Sequence, residues 1–320
     1  MDAGAWHAAW VMPLAVGVAL ALDRALGEPP VRVHPVVAMG HYLRWIGRPL
    51  TGWPPAAAFV GGALAWVLGA GVIAALAAWV QHALWTGFEP WAVALLLGLL
   101  LKPLMAWRML ADEVRAVDAA LAQSLDAGRA RLAQLVSRDV SVLDAAQVRE
   151  SAIESLAENL NDSVVAPLFW FLLFGLPGAA VYRFANTADA MWGYLGLRHG
   201  RDWTWAGKWA ARADDVLSWL PARVTAWALK TRATPWRTLR AEAHLTPSPN
   251  SGWPMAAMAL RLGVALRKPG VYTLHAAGRA PVARDTALAV RAAARALALA
   301  AAGMVLARWL GELACRAWTT

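Results

Sequence analysis

The sequence predicts an all-α, polytopic integral membrane protein with about four transmembrane helices, one broken or re-entrant helix, and helical segments in water, all within a single domain over 1–320. Three observations carry this. AVILMFWYC residues fill 59% of the 320 positions, charged residues only 16%, and the mean hydropathy is +0.43, which is a membrane protein's balance. Several apolar runs are long enough to cross a bilayer. Between them lie polar stretches, about 111–163 and 183–285, that read as helices in water.

Taken in order, Ala8–Leu22 is an apolar run with no basic residue before it, so it reads as a short first membrane helix and not as a cleaved signal peptide. Ala56–Trp85 spans, with Gln81 and His82 near its far end. Trp91–Met109 spans again after a short GFEP loop, and its Lys102 either snorkels or faces a polar cavity. Val164–Val181 is apolar but holds Gly175, Pro177 and Gly178 at its centre. A broken or re-entrant helix is expected there, with both ends on one side and its loose backbone buried. An irregular loop, His244–Pro254, then leads into an apolar helix from Met255 to about Leu266, and Thr286–Leu310 is the last span, with Arg291 and Arg295 near an interface. Nothing before Arg24 is basic, the next loop carries Arg24, Arg32, Arg44 and Arg48, and GFEP carries no basic residue. The N-terminus is therefore expected outside and the polar segments in the cytoplasm.

A net charge of +9 comes from scattered arginines, with no Lys/Arg run or nucleic-acid motif, so positive loops beside membrane helices account for it and no nucleic-acid partner is expected. The single cysteine, Cys315, excludes an internal disulfide, a Cys-based zinc site and an iron–sulfur cluster. Twenty tryptophans suit interfacial belts and core filling alike. No Walker loop, H-E-x-x-H, G-x-S-x-G or dinucleotide glycine fingerprint is present.

The chemistry concentrates in ESLAENLNDSVVAPLF, Glu154–Phe169. On a helix Glu154 and Glu158 share a face, with Asn159, Asn161 and Asp162 following closely. Like charges so spaced favour a cation, and hard oxygen ligands suit Mg²⁺ with phosphates and water. A solvated acidic face would show the same pattern. Asn186 and Asp189 in FANTADAMWGY, and Asp214 and Asp215 between Arg212 and Arg223, are the other acidic positions. The Asp pair also fits an N-terminal helix cap. Ser248, Asn250 and Gly252, just before Pro254, are candidates for a phosphate cradle or simply a proline-stiffened turn. Asp23 and His34, with Glu28 between them, occupy a Pro/Gly-interrupted loop after the first span.

Five ordered segments carry a resemblance: LDRALGEPPVRVHP, SRDVSVLD with ESLAENLNDSVVAPLF, PGAAVYRFANTADAMWGY, ARADDVLSWLPARVTA and HLTPSPNSGWPMAAMALRLGVAL. Together they resemble, nearly end to end, the CbiB/CobD family of cobalamin biosynthesis, the adenosylcobinamide-phosphate synthases. The resemblance implies a multi-pass ligase of the cell membrane (the bacterial inner membrane), with its active site on the cytoplasmic side. It would condense aminopropanol, or its O-phosphate, with a side-chain carboxylate of adenosylcobyric acid. ATP and Mg²⁺ would drive the amide formation, and association with other cobalamin-pathway enzymes would follow. Under it, Glu154, Glu158, Asn159, Asp162, Asn186, Asp189, Asp214 and Asp215 would form the catalytic set. Glu158, Asp162 and Asp189 would hold Mg²⁺, and Arg183, Arg212, Arg223, Ser248, Asn250, Gly252, His34 and Asp23 would bind substrate or phosphate. Departures from the family pattern are Glu28 for Asp, Ser163 for Gly, Arg183 for Lys, and Met255 for the Glu that usually follows the GWP turn.

Two rival classes use the same features. A Mg-dependent membrane prenyl- or phosphatidyl-type transferase also holds a diphosphate on paired Asp/Asn motifs, but a repeated D-x-x-x-D pattern is missing. A corrinoid or ion transporter would use a broken helix and intramembrane polar residues, but no half-to-half similarity appears.

Overall fold

The computed structural model describes residues 9–319. The chain is an all-α polytopic membrane protein: nearly all its regular structure is helical, and four stretches are long and apolar enough to cross a membrane, Pro55–Gly87, Pro90–Leu121, Ala145–Trp192 and Ala283–Cys315. It forms two compact units. One comprises Met1–Ala106, Ala166–Leu217 and Gly303–Thr320, the other Trp107–Val165 and Ser218–Ala302.

In the first unit, α1 (Val11–Leu26) packs on α4 (Pro90–Leu101), and α2 (Pro35–Leu50) and α3 (Pro55–Gly87) pack on α8 (Ala166–Trp192). Small residues make these approaches close: a Cβ on Gly98 would lie 2.7 Å from Val18. The expected short first helix is present. This helix, α1, is 16 residues long in the described chain and ends where Gly27 turns to φ +69°, and the segment around Gly175 lies within Ala145–Trp192, one of the four stretches long and apolar enough to cross. Lys102 does find polar company. It is buried, with Nζ 2.8 Å from Glu28 and 3.5 Å from Asp23, and His34 lies 3.2 Å from Glu28 while its Nδ1 accepts from Val36 N–H at the start of α2. Asp23 and His34 are thus held in an internal charge network.

The expected helix break is present at Gly175, where φ +69° and ψ −155° interrupt α8, whereas Pro177 and Gly178 remain helical. In an unbroken helix Leu176 N–H would bond Leu172 C=O. Here Leu176 N–H donates to Gln81 Oε1 of α3 at 2.7 Å, and Leu172 C=O accepts from Arg308 of α12 (Ala283–Thr319). Two polar side chains on apolar helices are explained by this need, because a backbone group left unpaired in hydrocarbon costs several kcal/mol.

The second unit contains the polar middle as helices, as its pattern predicts. In α5 (Trp107–Leu121) the buried residues Leu110, Ala111, Val114 and Val117 recur at helical spacing, with Asp112, Glu113 and Arg115 on other faces. After α6 (Leu125–Leu132) comes α7 (Ala145–Leu160), closed by a capping box in which Asp144 accepts from Gln147 N–H and the Gln147 side chain accepts from Asp144 N–H, both at 2.8 Å. Asp144→Ala is expected to lower stability by about 1 kcal/mol, measured by denaturant unfolding in detergent. A five-residue π turn, Asn161–Val165, joins α7 to α8.

Beyond β1–β2 (Leu197–Arg198, Arg201–Asp202) and α9 (Lys208–Leu229), the chain departs from expectation. A helix α10 (Trp236–Ala243) precedes the loop, and α11 runs from Gly252 only to Leu262, stopped by Gly263 in the left-handed conformation. The residues assigned to the end of that helix instead begin a hairpin, β3 (Leu266–Lys268) with β4 (Tyr272–Leu274).

Candidate active site

Three glutamates stand one turn apart along α7, and their surroundings differ by steps. Glu150 is fully buried and held on both oxygens: its partners are Arg267 N–H at 3.1 Å, Nε at 3.1 Å and Nη2 at 2.6 Å. Glu154 is half satisfied. Its Oε1 accepts from Arg138 Nη2 at 2.6 Å and from Tyr272 Oη at 2.5 Å, while its buried Oε2 accepts nothing. Glu158 lines a cavity within reach of the negative charges of Glu154 and Asp162 and the positive charges of Arg138 and Lys268.

That cavity, about 350 Å³, lies wholly in the second unit. Its polar wall comprises Arg138, Glu154, Ser155, Glu158, Asn159 and Ser248, joined by Lys268 and Tyr272 from the hairpin. Burial, and then the nearby carboxylates of Glu154 and Glu158, raise the Tyr272 pKa far above the phenol range, so its hydroxyl is a permanent donor. Two donors on one oxygen fix the orientation of the Glu154 carboxyl group. Sequence reasoning named Glu154, Glu158, Asn159 and Ser248 but missed Arg138, Lys268, Tyr272 and Glu150. Glu150 was visible as the same helical face one turn earlier, and Arg138 stands in the quoted SRDVSVLD segment.

The other predicted residues are elsewhere. Asp162 lies in the π turn and accepts from Asn161 Nδ2 at 2.8 Å, and Asn161 Oδ1 in turn accepts from Thr225 at 3.1 Å. The phosphate-cradle expectation meets a competing use of its donors: the Ser248 hydroxyl accepts from Asn250 and Ser251 N–H, each at 3.2 Å, in a local turn. Asn250 Oδ1 accepts from Arg223 at 2.6 Å, and the Arg223 guanidinium lies over both Trp219 and Trp253 at 4.7 Å. Gly252 has a packing role, since a Cβ there would come 2.1 Å from Ala243 C=O.

Arg183, Asn186, Asp189, Arg212, Asp214 and Asp215 belong to the first unit. There Asn186 bridges Arg183 and Asp214, each contact at 3.5 Å. Asp214 and Asp215 stand in the second turn of α9 and not at its N-terminus, which corrects the capping alternative. Asp189 is in this unit and Glu158 and Asp162 in the other. Among the described residues no three or more His, Cys, Asp or Glu side chains converge as a metal cage.

The family profile described as "CobD/Cbib protein" matches residues 16–300. The chain belongs to the CobD/CbiB family. Curated relatives include the "Cobalamin biosynthesis protein CobD" of Chromobacterium violaceum, 43% identical over 257 residues that cover 78% of this chain and 79% of the relative. Another is the "Probable cobalamin biosynthesis protein CobD" of Pyrococcus abyssi, 41% identical over 276 residues, 84% of this chain and 87% of the relative. No solved structure matches. Met255 abuts this cavity's wall: its sulfur is 3.8 Å from the Tyr272 hydroxyl. A thioether in that place adds no charge beside Glu154 and Glu158.

Proposed function

We propose that this CobD/CbiB-family protein acts in cobalamin biosynthesis as an ATP-dependent ligase. It would join aminopropanol or its O-phosphate through an amide to a side-chain carboxylate of adenosylcobyric acid at the cytoplasmic face of the bacterial inner membrane. The observation that carries this reading is the α7 cavity, where a buried carboxylate oxygen without a hydrogen bond and a second carboxylate face two cationic side chains.

Amide formation needs an activated acyl group. The corrinoid carboxylate takes the γ-phosphoryl group of ATP, releasing ADP. The amine nitrogen then attacks the acyl carbon: the C–N bond forms, the C–O bond to phosphate breaks, and the nitrogen sheds a proton. Glu158 is placed to receive that proton, and Arg138 and Lys268 to neutralise phosphoryl charge. Tyr272 and Arg138 hold Glu154 oriented through its Oε1. Mg²⁺ commonly takes one or two carboxylates and leaves its remaining positions to phosphate and water. Glu154 Oε2 fits that donor set, and a bound ion would supply charge neutralisation at the phosphates.

The test is mass spectrometry of detergent-purified protein incubated with adenosylcobyric acid, Mg·ATP and aminopropanol phosphate, omitting each in turn. A corrinoid mass gain equal to amide condensation, dependent on all three, is expected. No product from folded protein refutes the ligase assignment.

A further inference from the structure

We infer that Glu150 and Arg267 are positioning residues: their ion pair latches the β3–β4 hairpin to α7 and thereby holds Lys268 and Tyr272 at the cavity. In the hairpin Lys268 is directly opposed to Tyr272, so the two side chains project from one face. Leu266 and Leu274, two residues from them and paired with each other, share that face and are completely buried. Arg267 alternates to the other face, paired with Thr273, and its side chain is 45% exposed at the hairpin's edge.

A two-stranded ribbon of three residues per strand has little stability of its own. Besides its buried leucines and the Tyr272–Glu154 bond, this one is fastened to the helix by Glu150, fully buried, which accepts from the backbone N–H of Arg267 as well as from its guanidinium. The backbone contact fixes the strand's height along α7, and the guanidinium contact fixes its roll. Lys268, the next residue, and Tyr272, its partner, then have no freedom to leave Glu154 and Glu158. Glu150 and Arg267 are not among the residues lining the cavity, so their effect on chemistry passes through the two that do.

The kinetic part of this inference rests on the ligase reading, and the experiment separates the two. Full-length protein in detergent carries Arg267→Met or Arg267→Lys, and amide hydrogen exchange of the 266–274 peptide is measured beside condensation kinetics. Arg267→Met should lose roughly tenfold of the hairpin's protection and, with the site's groups displaced, kcat should fall roughly 100-fold. Arg267→Lys keeps a cation beside Glu150 and should recover part of both losses, and the thermal midpoint of the same preparations separates this from a change in bulk stability. Wild-type kcat in Arg267→Met, or unchanged exchange in the hairpin, overturns the inference. If Arg267→Met does not fold, Arg267→Lys decides by the same two readouts at smaller amplitude. If the unmodified protein gives no condensation, the ligase reading fails, and hairpin exchange alone decides whether the pair is the latch.

Discussion

Glu158→Gln is expected to lower kcat by two orders of magnitude or more while leaving the protein folded and membrane-inserted. The substitution keeps size and one carbonyl-type oxygen but removes the ability to take a proton. Glu158 lines the cavity beside Glu154, and glutamine is close to a neutral glutamic acid in shape and polarity, so stability should stay within about 0.5 kcal/mol of the parent. Glu154→Gln offers a contrast, because Oε1 accepts from both Arg138 and Tyr272. Neutralising a buried, doubly bonded carboxylate weakens two charge-assisted hydrogen bonds, so this change should cost stability as well as rate. The check is turnover and thermal midpoint measured on the same preparations. Near-normal kcat in Glu158→Gln would mean that the acidic face is merely solvated and that proton removal happens elsewhere.

The acidic half of this site was legible because a helix converts sequence spacing directly into a face: the four-residue step from Glu154 to Glu158 is about one turn. Its basic and phenolic half was not. Tyr272 and Arg267 reach their glutamates across 118 and 117 residues of chain, through a hairpin whose short strands leave little periodicity to read. Arg138 sits 16 residues before Glu154 in a loop, where spacing carries no direction. Likewise, Ser248 was recognisable as loop chemistry, but only the coordinates show its hydroxyl turned back on Asn250 and Ser251 N–H. The fold class followed from composition, and the break in α8 from Gly175 beside Pro177. The partners that make the break tolerable, Gln81 and Arg308, lie 95 and 136 residues from the backbone groups they serve.

That break supports the second large prediction. Gly175→Ala should destabilise the protein by about 3 kcal/mol or more, enough to lose folded protein from the membrane fraction at ordinary expression temperature. Two costs coincide. The backbone at φ +69° and ψ −155° is strained for any residue with a Cβ. The added methyl would also start 2.3 Å from Gln81 Oε1, the atom that accepts from Leu176 N–H. Relieving the contact means moving Gln81, which unpairs a backbone donor inside an apolar helix cluster; straightening the helix instead would send Leu176 N–H back to Leu172 C=O and displace Arg308. Gln81→Leu isolates one of these costs, keeping the glycine but removing the acceptor, and should lose about 1–3 kcal/mol for the single unsatisfied donor. Detergent-solubilised yield and thermal midpoint rank the three proteins: parent above Gln81→Leu, and Gln81→Leu above Gly175→Ala. If Gly175→Ala matched the parent, α8 would have to accept a regular helical residue at 175, and the pairing of Gln81 and Arg308 with the broken backbone would not be what holds that part of the first unit together.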